Sequence, residues 1–236
     1  MTREIEIPCV GYKIKADLYE GETTDRVMLF LIGFTSSKAS YEPLVTALVK
    51  KTGLSALVLD YGGHGESPFN LEDLTQSQNF SESVIAFDWI RNSYPDSKIT
   101  VIGTSYGGYH ASLLAGYREF DQLVLRVPGI YPWHNFYTKW SDMESVEEHR
   151  RHRQDPELVS KHPLLLEASR KFSGRTLVLT HENDDVCPKV STDEFTKLFN
   201  ANTWVANDFG HSFTSSNPTK EQGEEYQAAI ADWIKK

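Results

Sequence analysis

The sequence predicts an α/β fold, with a mainly parallel central sheet, helices on both faces and a small inserted cap. Three observations carry this expectation. Short apolar runs alternate with stretches of helical period along most of the 236 residues. Those runs hold few charged residues, as suits strands covered on both faces of a parallel sheet. One long stretch, residues 129–173, breaks the rhythm without offering a clear strand, and is too long for an ordinary loop.

Taken in order, residues 5–10 and 12–19 read as an N-terminal hairpin. Residues 27–32, 56–60, 99–102, 123–127 and 176–180 read as buried strands, with 203–206 as a weaker last strand. Helices are expected at 41–51, 81–93, 105–116, 193–200 and 219–236. In the last of these Tyr226, Ala229, Ile230 and Trp233 form an apolar stripe. The β-α-β alternation implies right-handed crossovers, with ligands beyond the carboxyl ends of the strands. The whole chain, 1–236, is expected to be one domain with the cap inserted at about 129–173.

Composition narrows the partners. Hydrophobic residues at 39% and aromatics at 12% are those of a globular chain. A net charge of −9 provides no basic footprint for nucleic acid or an anionic membrane surface. No apolar run approaches the ~18 residues of a membrane span, and the N-terminus alternates charged and apolar residues instead of showing a leader's apolar core. With Cys9 and Cys187 as the two cysteines, this leads to a cytoplasmic expectation and no cysteine-based metal site.

The chemistry-bearing turn follows the strand at 99–102. Gly103-Thr104-Ser105-Tyr106-Gly107-Gly108 is a G-x-S-x-G pattern between a strand and a helix rich in small residues. A turn this sharp leaves no room for side chains at Gly103 and Gly107. It holds Ser105 at the apex in a strained conformation, beside the free N–H groups of a helix start. Ser105 is therefore the expected nucleophile.

A serine hydroxyl needs a base, and the base needs an orienting carboxylate. Both are expected downstream, in the order Ser, Asp, His. After the strand at 176–180 comes His181-Glu182-Asn183-Asp184-Asp185-Val186-Cys187-Pro188, from which Asp184 is chosen, with Asp185 and Glu182 as rivals. Of eight histidines, His211 follows the last strand on the loop Asn207-Asp208-Phe209-Gly210-His211 before the final helix. His149 and His152 read as part of a charged helix, His110 as riding the helix after Ser105, His134 and His162 as cap residues, and His64 and His181 as loop residues. Oxyanion donors are expected from the backbone N–H groups of Tyr106 and of Phe34, in the loop Gly33-Phe34-Thr35.

Together these segments resemble the α/β-hydrolase superfamily over nearly the whole chain. Asp60-Tyr61-Gly62-Gly63-His64-Gly65-Glu66-Ser67 is similar to its D-x-x-G-H-G-x-S loop, Gly103–Gly108 to its nucleophile elbow, Asp184 to its loop acid, and Phe209-Gly210-His211 to its histidine loop. Gly33-Phe34-Thr35-Ser36-Ser37-Lys38 and the compact cap resemble small bacterial carboxylesterases of the feruloyl/cinnamoyl-esterase and monoacylglycerol-lipase kind. The resemblance implies ester hydrolysis through an acyl-enzyme, a small-molecule ester as substrate, and no cofactor or metal. The sequence departs from the family at Ile32-Gly33, where His-Gly is frequent. Thioesterase, peptidase and carbon–carbon bond hydrolase chemistry use the same triad, and a non-catalytic binding protein on this scaffold is a further alternative. Tyr131, Trp133, Phe136, Tyr137 and Trp140 either line an apolar pocket or pack the cap onto the body. The charged run 147–153 reads as a solvated helix face.

Overall fold

The computed structural model describes residues 1–143, 151–213 and 216–236. Strands β1 (Thr2–Cys9) and β2 (Tyr12–Tyr19) form an antiparallel hairpin at one edge of the sheet, and β2 pairs antiparallel with β4 (Leu54–Leu59). The remaining pairings, involving β3 (Thr23–Leu31), β5 (Lys98–Thr104), β6 (Gln122–Arg126), β7 (Arg175–His181) and β8 (Asn202–Ala206), are parallel. The order is β1-β2-β4-β3-β5-β6-β7-β8. β4 and β6 are buried along their whole length, as suits mostly apolar strands covered on two faces.

Two helix groups cover the sheet. α1 (Lys38–Thr52) packs against α7 (Lys220–Lys235), whereas α3 (Tyr106–Leu114) packs against α2 (Gln76–Ser93) and α5 (Pro163–Lys171). α4 (Pro156–Lys161) packs against α6 (Lys189–Leu198). Residues 147–150 of the charged run, and His149 with them, lie outside the described residues.

Several helices start earlier than hydrophobic period alone predicts, because their first turns are polar and local residues fix their ends. α2 begins five residues ahead of the expected start. Thr75 Oγ1 accepts from the Gln78 N–H at 3.2 Å while Gln78 Oε1 accepts from the Thr75 N–H at 2.8 Å, a reciprocal cap on a polar first turn. Thr219 and Gln222 repeat the device on α7. α6 starts directly after Pro188, whose fixed φ suits a helix entry. α1 stops at Gly53, which supplies the left-handed φ of 72° and donates its N–H to the Val49 carbonyl at 2.8 Å.

The parallel register aligns the carboxyl ends of the strands: Leu31 lies beside Gly103, Thr104 beside Arg126, and His181 beside Ala206. Asp60, fully buried just after β4, locks two of the loops there. Its carboxylate accepts from the Lys38 N–H at the start of α1 and from the Glu66 N–H at 2.9 Å, and its carbonyl accepts from Ser67 Oγ at 2.6 Å. A Cβ on Gly65 would strike that carboxylate, which makes this glycine a packing requirement as well as a left-handed turn. Asp60→Ala strands two amides, and should lower the unfolding free energy by about 2–3 kcal/mol in a urea titration. An unchanged midpoint would show that the loops hold themselves.

Candidate active site

Ser105 sits between β5 and α3 with φ 52° and ψ −112°, a region that non-glycine residues rarely occupy. Its backbone is held from three sides. The Ser105 N–H donates to the Arg126 carbonyl at 3.0 Å, and the Ser105 carbonyl accepts from the N–H groups of Tyr109 at 3.1 Å and Gly129 at 2.9 Å. Gly107 packs directly on the Leu31 carbonyl at the end of β3, and Gly103 on the Gly107 carbonyl and on Ala111 Cβ, which a Cβ would approach to 2.7 Å. Neither position has room for a side chain, so the strain at Ser105 is enforced by its surroundings.

The side chains expected from chain order converge. His211 Nε2 lies 3.0 Å from Ser105 Oγ, and His211 Nδ1 lies 2.8 Å from Asp184 Oδ2. The Asp184 side chain is fully buried, and its other oxygen accepts from the N–H groups of Val186 and Cys187, each at 2.8 Å. This carboxylate therefore has its lone pairs filled on one side and a histidine on the other. Of its rivals, Glu182 is exposed and accepts from the Asp208 N–H at 3.0 Å, and Asp185 is exposed.

The loop carrying His211 is fixed by a residue that the sequence presented as an ordinary loop histidine. His181 ends β7 and is buried. Arg126 Nε donates to Tyr226 Oη at 2.8 Å, so the Tyr226 hydroxyl donates onward to His181 Nε2 at 3.1 Å. His181 Nδ1–H then donates to the Gly210 carbonyl at 2.6 Å, one residue before His211. Burial, the largest cause, holds the His181 ring down to about 4, against the Gly210 bond and with the Arg126 charge adding to the fall. The ring is thus neutral near pH 7, as this tautomer requires.

On the opposite side of Ser105, the Gly33 N–H donates to Tyr41 Oη at 2.9 Å. Among the described residues the N–H groups of Phe34 and Tyr106 donate to no protein acceptor. Ile32, where the family frequently carries histidine, is fully buried. The Phe34 ring lies against Trp140, with centroids 4.3 Å apart, and edge-on to Tyr106. Among the described residues no three His, Cys, Asp or Glu side chains converge as a metal site would need, and no helix is long and apolar enough to cross a membrane.

A cleft of about 660 Å³ opens beside Ser105 and His211, lined by the 33–36 loop, the start of α1, Phe213, Asn217, Gln227 and Arg126. The five aromatics, read as either a pocket wall or the packing of the cap onto the body, do not line it. Tyr131 and Phe136 are buried in the core, Tyr137 is 80% exposed, Trp133 is exposed, and Trp140 reaches the site by way of Phe34. Composition marks aromatic residues as buried or exposed, but not which cavity they face. Arg126 gave a fainter sign in the sequence, as the charged residue closing an otherwise apolar strand.

The fold and the site define a class. The family described as "alpha/beta hydrolase fold" matches residues 26–143, half of the chain, and the chain belongs to that family. Among curated relatives, "sn-1-specific diacylglycerol lipase ABHD11" of Xenopus laevis is 32% identical over 99 residues, covering 42% of this chain and 30% of the relative. The Mus musculus protein of the same name is 30% identical over 102 residues, 42% of this chain and 31% of the relative. The match thus spans less than a third of these relatives. Esterase Pf2001 of Pyrococcus furiosus superposes with a TM-score of 0.72 at 20% identity, covering 100% of this chain and 92% of that one. Est1E of Butyrivibrio proteoclasticus, solved with ferulic acid bound, gives 0.74 at 18%, covering 98% and 97%. At these identities the likeness is one of fold.

The depressed His181 makes stability depend on pH. The unfolded ring takes a proton near its ordinary 6.5 and the folded ring only near 4, so its contribution is complete above 6.5 and is lost as pH falls through that window. Between pH 7.5 and 5 the wild type should lose about 1–2 kcal/mol more than His181→Gln, seen as a steeper fall in urea midpoint. Parallel pH profiles would show that the folded ring protonates normally.

Proposed function

We propose that this chain is a serine hydrolase that cleaves carboxylic esters of small molecules through an acyl-enzyme intermediate. The observation that carries the proposal is the unbroken relay from Ser105 Oγ through His211 to the buried Asp184 carboxylate, open to a cleft of about 660 Å³. Ser105 Oγ attacks the ester carbonyl while His211 Nε2 takes its proton, and Asp184 holds the ring by its Nδ1–H and stabilises the imidazolium. The tetrahedral oxyanion is met by the backbone N–H groups of Phe34 and Tyr106, both without a protein acceptor among the described residues. Collapse expels the alcohol, which receives the proton from His211. Water then repeats the sequence on the acyl-enzyme, releases the acid and restores Ser105.

The lipase and esterases to which the chain is similar support the same reaction class. Residues 131–143 of the inserted segment lie against the site's loops and would cap that side of it. The segment's Trp140 rests on Phe34, the Trp140 N–H donates to the Leu74 carbonyl at 2.9 Å, and the Phe136 carbonyl accepts from the Ser77 N–H at 2.9 Å, tying the segment to the start of α2.

Ser105→Ala should reduce kcat on an activated aryl ester by about four orders of magnitude or more, and His211→Ala should match it. The double variant should fall little further, because both groups act on one step. Steady-state kinetics with urea midpoints for each protein reads this. Undiminished hydrolysis in folded S105A would sink the proposal.

A further inference from the structure

We propose that Arg126 is the receptor for a carboxylate on the substrate, so that the preferred esters are anionic and carry that group close to the scissile carbonyl. The inference rests on the ester-cleavage reading and specifies its substrate class. Two cations are buried among the described residues, Lys38 and Arg126. Lys38 is paired with Asp17 at 3.1 Å and Glu66 at 2.6 Å. Arg126, 4% exposed, has no carboxylate within ion-pair distance among the described residues. Its bonds go to neutral groups: Nε donates to Tyr226 Oη at 2.8 Å, Nη1 to Thr104 Oγ1 at 3.0 Å, and the guanidinium lies 5.2 Å from the Tyr226 ring centroid. Nη2 donates to no protein group among the described residues. A guanidinium taken out of water without a counter-ion is costly, and an incoming anion removes that cost.

The cleft supplies the place for it. Arg126 lines the same cleft as Ser105 and His211, and no Asp, Glu or Lys lines it among the described residues. It is therefore the fixed charge of the cavity, in a chain whose net charge of −9 otherwise repels anions. Arg126 adjoins the nucleophile turn: its carbonyl accepts from the Ser105 N–H at 3.0 Å, and its Nη1 donates to Thr104, which immediately precedes Ser105. Val127, just after it, takes φ 41°, rare for a β-branched side chain, and is pinned by its N–H to the Leu179 carbonyl at 2.9 Å. One guanidinium with one open edge matches a single negative charge, which favours a carboxylate over a phosphate monoester of nearly double charge.

Two matched pairs test the assignment: a mono-aryl adipate against its terminal amide, which varies the acyl side, and 3-acetoxybenzoate against 3-acetoxybenzamide, which varies the leaving side. The ratio of kcat/KM, carboxylate over amide, is measured for the wild type and for R126Q. In at least one pair the wild-type ratio should be about tenfold or more, the range of a charge-assisted hydrogen bond in a partly dry site, and should collapse towards one in R126Q. Ratios below that in both pairs, or a ratio that survives in R126Q, overturn it. A fall of both substrates by one factor would mark Arg126 as a structural brace on Tyr226 and would likewise overturn it. Should R126Q not fold, the wild-type ratios decide. Turnover of neutral esters without charge preference defeats this inference alone. If no ester is cleaved, thermal shifts with 3-hydroxybenzoate against 3-hydroxybenzamide read the same site: stabilisation by the anion only supports it, and equal shifts overturn it.

Discussion

Everything at this site depends on one close contact, the seating of the Gly107 backbone on the Leu31 carbonyl at the end of β3. It brings the start of α3 so near the sheet that the chain must turn within a single residue, and that residue is Ser105, at φ 52°. Strain of this kind costs of order 1–3 kcal/mol and persists only where neighbours over-determine it. Here three backbone hydrogen bonds fix the Ser105 peptide groups from β6, α3 and Gly129. A methyl group at Gly107 would force α3 off the sheet and relax the serine away from His211.

Buried polar groups extend that rigidity outward. Beneath α3, the Tyr106 hydroxyl donates to Asn79 Oδ1 at 3.0 Å, and Asn79 donates to Glu82, which also accepts from Tyr12 Oη at 2.6 Å and the Gly62 N–H at 2.8 Å. Burial pushes the Glu82 carboxyl upward, while these bonds oppose the shift. The opposite flank is held by the chain from Arg126 through Tyr226 and His181 to the Gly210 carbonyl. The nucleophile and the base thus stand on two networks joined by the His211–Ser105 hydrogen bond and by Arg126, whose carbonyl accepts from the Ser105 N–H.

Much of this was legible in the sequence, for identifiable reasons. Apolar runs announced the buried strands because a parallel sheet has two covered faces, and the G-x-S-x-G pattern had meaning because a strand precedes it and a helix follows. Chain order singled out Asp184 and His211, and folding brings His211 into contact with both Asp184 and Ser105. The starts of α1, α2 and α6 lie ahead of the apolar period because polar first turns, held by the Asp60 carboxylate at α1, the Thr75–Gln78 cap at α2 and Pro188 at α6, extend the helices. His181 and Arg126 escaped because their meaning is relational: one is a strand-end histidine facing Gly210, the other a charge with no carboxylate in ion-pair distance among the described residues. The aromatics at 131–140 left two readings open in the sequence, since packing a segment onto its body and lining a cleft use the same residue types.

The central claim is that the fold activates Ser105 as a nucleophile. The direct measurement is treatment of the native protein with a fluorophosphonate near neutral pH, followed by intact mass and peptide mapping. One adduct per chain, located on Ser105 and absent from the folded Ser105→Ala protein, is the predicted result. A native protein that takes up no phosphonyl group, or takes it up elsewhere, would contradict the account.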